Sequence, residues 1–203
     1  MNGAKLVRAA GWALGRGEEL ESPVVAVSVH LDDAVFSLGA ALARAARRGA
    51  GVTVLTVLAN DAPADAPAGE WDARAGFCTA REAAEARRTE DRRACALIGA
   101  RAAWLPFGDM TYGRGASDDE VALAVHAHVD GAATVLVPGF PLTHPDHRWL
   151  AGLLDNLTAS RLGRYVEQPY ALWSSGADDR EWRPLAAGSR DRPPAPPAAP
   201  TRC

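Results

Sequence analysis

Apolar positions along the chain follow two alternating patterns. Continuous valine-rich runs occupy residues 23–30 (PVVAVSVH), 51–60 (GVTVLTVLAN) and 133–140 (ATVLVPGF). Such runs suit strands covered on both faces. Between them lie stretches with helical spacing. Residues 33–48 carry an aspartate in the first turn and Arg44, Arg47 and Arg48 near the end, charges that complement a helix dipole. Residues 80–100 form a long amphipathic pattern closed by Gly99, and residues 117–131 start on a serine cap with acidic residues behind it. A short strand is expected within 101–109, a helix over 147–160, and an extended segment over 164–173. Residues 61–69, rich in alanine, proline and aspartate, read as a loop.

Strands that alternate with helices pair in parallel through right-handed crossovers. The pattern therefore predicts an α/β fold, a Rossmann-like three-layer α/β/α sandwich with a mostly parallel sheet. The first strand-to-helix turn, HLDDAVFSLG, lacks the glycine spacing of a dinucleotide loop, so no such cofactor is expected there. Three regions follow: an N-terminal extension (1–22), one domain (23–185) and a proline-rich tail (186–203). The tail offers almost nothing to bury and is expected to be disordered.

Charge and composition narrow the function. The chain has 203 residues and a net charge of -3, without the basic face of a nucleic-acid binder. No apolar run approaches the ~20 residues needed to span a bilayer. The start of the chain, short in apolar length and followed by acidic residues, reads as a cytoplasmic N-terminus. Cys78, Cys95 and Cys203 are far apart, which predicts reduced thiols, with Cys78 and Cys95 as small buried residues. His126 and His128, two apart on a helix, point to different faces and are expected at the surface or core edge.

Two polar clusters remain, and each directly follows a predicted buried strand. His30, Asp32 and Asp33 end the first; His144, Asp146 and His147, in PLTHPDHRW, follow the fourth. Ligand crevices of open parallel sheets lie beyond the carboxyl ends of strands. Alone, HLDD reads as a turn and a helix cap, and HPDH as a proline-stiffened turn. Together at one sheet edge they point to a metal. Two imidazoles and one carboxylate, His30, Asp33 and His147, make a catalytic zinc set with a position left for water. Asp32 is then placed as base for that water, and His144 as the group that stabilises or protonates what forms. Asp146 is expected to orient His144 and favour its charged form. Another divalent ion suits mixed nitrogen and oxygen donors as well as zinc does.

HLDD followed by HPDH about a hundred residues later resembles the LmbE-like, or PIG-L-type, zinc-dependent N-deacetylases. The resemblance runs from about residue 23 to 173. WDARAGF, ARRTEDRRACALIGA and YVEQPYA resemble its actinobacterial natural-product branch. It implies the same ligand set and the same roles for Asp32, His144 and Asp146. It further implies Arg87, in ARRTE, as a substrate-binding arginine and Asp109, in PFGD, as a carboxylate for sugar hydroxyls. An Arg87–Glu90 ion pair on an exposed face is the competing reading. The implied activity is hydrolysis of an N-acyl group, most simply N-acetyl, from a small-molecule amino sugar or glycoside. A non-sugar N-acyl metabolite or thiol conjugate, or a catalytically impaired metal-binding protein, are the alternatives. The chain departs from the family pattern at Ala34, where a glutamate is common, and at Leu142, where some relatives carry a tyrosine. It also turns proline-rich after Trp182, where relatives often carry further sheet walling the sugar pocket, so the resemblance does not extend to substrate selection or to full activity.

Overall fold

The computed structural model describes residues 20–59, 65–157 and 159–173. Most of the expected N-terminal extension, and all of the proline-rich tail, lie outside these residues. The elements in chain order are β1 (Val24–Ser28), α1 (Asp33–Arg47), β2 (Val52–Thr56), α2 (Glu70–Arg74), α3 (Ala80–Leu97), β3 (Arg101–Trp104), α4 (Asp118–Val129), β4 (Thr134–Phe140), α5 (Pro145–Leu153), β5 (Arg161–Val166) and α6 (Tyr170–Trp173).

The five strands form one sheet in the order β3-β2-β1-β4-β5, every neighbouring pair parallel. Alternation along β1 divides the core. Val25, Val27 and Val29 face one side, with Val121, Val125 and Val129 of α4 and Leu150 of α5. Val24 and Ala26 face the other, with Leu38 and Leu42 of α1 and Cys95 of α3. Helices therefore cover both faces, as the valine-rich runs required. Burying each such Val or Leu fully contributes about 1.5–3 kcal/mol.

The direction in which successive strands are added reverses between β1 and β4. From β1 the chain winds outward through β2 and β3, then returns to place β4 on the other side of β1. In sheets of this kind the crevice opens at that switch point. The ends of β1 and β4, which carry the two polar clusters, flank it.

Several elements differ from expectation. α2 occupies a stretch with too few residues for a visible helical period. α5 begins at Pro145, with His144 as its cap, because proline at the first helical position has no N–H to satisfy. Tyr170–Trp173 is a short helix, not extended. Cys95 is free and buried, but Cys78 is exposed and disulfide-bonded, contrary to the expectation of reduced, buried thiols. His126 and His128 are exposed on α4. Among the described residues, no helix is long and apolar enough to cross a membrane.

Candidate metal centre

The turn after β1 is built around the hydroxyl of Ser28. This buried group donates to the His30 carbonyl (2.7 Å) and accepts from the Ala34 N–H (3.0 Å). The Asp32 N–H donates to the His30 carbonyl as well (2.9 Å), closing a tight turn. Asp33 opens α1, and its Oδ2 accepts from the His30 N–H at 2.8 Å. The imidazole and the carboxylate are thus held on one side of the turn.

The second cluster sits on the first turn of α5. His144 caps the helix, its Nδ1 accepting from the Asp146 N–H at 3.2 Å. His147, fully buried, lies one turn inside, with its Nδ1 2.6 Å from Glu167 Oε1. The Asp146 carboxylate lies 3.9 Å from His144 Nδ1 and approaches His30 Nε2 more closely, at 3.1 Å. It also accepts from Arg114 (2.7 Å) and from the Met110 N–H (3.3 Å). Asp146 thus keeps the expected contact with His144 at ion-pair distance and adds a shorter one to His30. Residues two apart at a helix start point in different directions.

Three donor atoms converge. His30 Nδ1 and His147 Nε2 are 3.2 Å apart, and Asp33 Oδ2 lies 3.4 Å from the first and 3.3 Å from the second. A tetrahedral ion with bonds of about 2.0–2.1 Å requires donor separations of about 3.3 Å. The triangle has the size and the chemistry of a divalent-cation site. Ligand atoms of His30, His144 and His147 also lie within 4.8 Å of one another, so His144 stands at the edge of the same centre. The other ring nitrogens of His30 and His147 are each held by a carboxylate, as imidazole ligands require.

Electrostatics follow this packing. Burial would lower both imidazoles, but hydrogen bonds to carboxylates outweigh it: without a cation, His30, with Asp146 and Asp33, and His147, with Asp33 and Glu167, rise to about 9, and a cation that takes the donor atoms does so by displacing a proton. Burial would raise the Asp33 carboxyl, yet His147 and His30 hold it well below the usual range. Asp32 reaches solvent, but the protein around it desolvates the rest of the group. That burial, then the charge of Asp33, pushes its carboxyl up to about 6. His144 moves down, through burial first and the neighbouring His30 second, against the opposing pull of Asp146. The expected bias of His144 toward its charged form is not met.

His30, Asp32, Asp33, His144 and Asp146 line a cavity of about 770 Å³, with His147 buried behind them. Arg87 and Asp109, the expected substrate contacts, line it too. Arg87 pairs with the buried Asp72 of α2, not with Glu90, and Asp72 also accepts from Tyr112 Oη at 2.6 Å. Asp109 uses Oδ1 to accept from the N–H groups of Thr111 and Tyr112 (2.8 and 3.1 Å), which shapes its own loop. That loop closes on itself: the Gly108 N–H donates to the Arg114 carbonyl at 3.3 Å, and a methyl at Gly108 would overlap the Gly113 carbonyl. Phe36, Trp71 and Met110, all strongly exposed, line the cavity with apolar surface. Ser28, Asp72, Arg114 and Glu167 escaped the sequence reading. Asp72 and Glu167 left a signal, as carboxylates inside WDARAGF and YVEQPYA.

Comparison with known proteins identifies relatives of the chain. The family described as PIG-L, GlcNAc-PI de-N-acetylase, matches residues 25–157. No curated protein matches the chain. A deacetylase of teicoplanin biosynthesis, solved as a complex with bog, is 28% identical over 77% of this chain and 71% of its own, with TM-score 0.63. The zinc-inhibited form of teicoplanin deacetylase gives 28% identity, coverage of 77% and 71%, and TM-score 0.65. An antimicrobial-reagent pseudoaglycone deacetylase gives 28%, coverage of 82% and 69%, and TM-score 0.63.

Proposed function

The chain belongs to the PIG-L family of GlcNAc-PI de-N-acetylases, and from that premise we propose that it is a metal-dependent hydrolase. It removes an N-acetyl group from an amino sugar, free or within a glycoside. The observation that carries the reading is the triangle of His30 Nδ1, Asp33 Oδ2 and His147 Nε2, with Asp32 and His144 beside it in one cavity. These three residues would hold the ion. One similar deacetylase is described in a zinc-inhibited form, and mixed nitrogen and oxygen donors also admit other divalent metals.

When bound, the ion supplies Lewis acidity toward the amide carbonyl and acidifies water. The residues do the rest. Asp32, raised to about 6, accepts the proton of the attacking water. The water oxygen bonds to the acyl carbon, and the carbon–nitrogen bond breaks. Asp32 then gives that proton up to the departing amine, directly or relayed through His144, whose lowered pKa leaves it a neutral imidazole able to take a proton and pass it on. Asp146 holds His30 in place, and Arg87, anchored on Asp72, presents charge to sugar hydroxyls. Acetate and a free amine result.

The cavity exceeds what one sugar fills, since sites of ~300–1,000 Å³ enclose drug-sized ligands. The apolar surface of Phe36, Trp71 and Met110 favours a glycoside with an apolar group over a free sugar. The same surface favours, as a second reading, a non-sugar N-acyl metabolite. An assay of acetate release from N-acetylglucosaminides and from simple N-acyl amides, with metal supplied, separates the two. Asp32→Ala is expected to keep its metal and lose about a hundred- to ten-thousand-fold in kcat. His147→Ala is expected to lose both. Full turnover by Asp32→Ala refutes the assigned base.

A further inference from the structure

Glu167 directly follows β5 and has no exposed surface. A carboxylate buried this completely is costly unless its oxygens are met by donors. Both are. Oε1 lies 2.6 Å from His147 Nδ1, and Oε2 accepts the Leu142 N–H at 3.2 Å. Leu142 sits at φ 54, the left-handed region that side chains other than glycine seldom adopt, and it begins the short link to His144. The backbone around Glu167 is fastened as well. Its N–H donates to the Phe140 carbonyl at the end of β4 (2.6 Å), and the Gln168 N–H donates to Ser37 Oγ on α1 (3.0 Å). One side chain therefore touches the buried imidazole and the loop that leads to the second histidine.

We propose that Glu167 is a positioning residue of the metal centre. It keeps the proton of His147 on Nδ1, so that Nε2 presents its lone pair toward His30 and Asp33, and it pins the Leu142 loop that sets His144. The inference rests on the metal-hydrolase reading. It differs from a merely structural buried pair in requiring a specific tautomer.

Glu167→Gln tests it with almost no change of shape. An amide has one acceptor and one donor end, whereas two N–H groups face Glu167. Whichever way the amide turns, one N–H loses its acceptor. If the NH2 end faces the imidazole, the His147 proton is driven to Nε2, the atom a metal needs. Calorimetric titration of the metal-stripped full chain with Zn2+ alone is expected to show affinity falling about ten- to a hundred-fold, with kcat reduced and KM little changed. Unchanged Zn2+ affinity in a folded Glu167→Gln overturns the inference while leaving the metal reading intact. If the variant does not fold, the Zn2+-loaded wild-type chain decides. Long-range proton–nitrogen spectra are expected to show His147 protonated at Nδ1 and metal-bound at Nε2, and the reverse assignment overturns the inference. A wild-type chain that binds no Zn2+ removes the metal reading and this inference together.

Discussion

Asp146 has no exposed surface and accepts from His30, Arg114 and the Met110 N–H at once. Removing it strands the Arg114 guanidinium, which also stacks 3.7 Å above the Trp149 ring. Asp146→Ala is expected to cost about 3 kcal/mol of stability, read by denaturant unfolding. The acid limb of stability follows from the same contacts. Burial would raise the Asp146 carboxyl, but His30, Arg114 and the Met110 N–H hold it below its ordinary range. Its contribution is complete above the unfolded value, near ~4, and is lost as pH falls from there toward the lower folded value. Thermal melts across that window should show Asp146→Asn losing less stability on acidification than the wild type. The spacing of HLDD and HPDH made the three residues that converge legible. The closer partner of Asp146 was not legible, because adjacency in sequence favoured His144 while the helix start aims the carboxylate across to β1.

At the scale of elements, Ser28 ties β1 to α1 through two hydrogen bonds that hold the His30–Ala34 turn. Ser28→Ala leaves the buried Ala34 N–H without that acceptor and is expected to cost about 1–3 kcal/mol and to weaken metal binding. The capping box of α4, Ser117 with Glu120, offers the contrast. Ser117→Ala should cost about 1 kcal/mol by denaturant unfolding and leave metal affinity alone, since the cap lines no part of the cavity. The long elements were readable from the chain because valine runs and amphipathic spacing persist over several turns or pairs. α2 and α6, of 5 and 4 residues, are too short to display a period. α2 nevertheless supplies Asp72, so the partner of Arg87 in the cavity wall was hidden where the pattern was weakest.

For the whole molecule, the order β3-β2-β1-β4-β5 joins two halves of the sheet at the β1–β4 seam, and the triangle of donor atoms spans that seam from α1 to α5. An ion there binds only the folded chain. Zn2+ at a hundredfold excess over Kd should stabilise the protein by about 2.7 kcal/mol, a rise in Tm that a chelator reverses and His147→Ala abolishes. Strand order was not legible in the sequence, because equivalent parallel strands carry no label for their neighbours. The location of the crevice was, because polar clusters interrupted two strand ends. The closed loop from Gly108 to Arg114 bears on how such a pocket diversifies. Its root tolerates no side chain, whereas Met110 and Thr111 project from its tip into the cavity. Retargeting this scaffold to new acceptors, by natural drift or by laboratory libraries, is therefore channelled through the tip, while the glycine beneath it stays invariant.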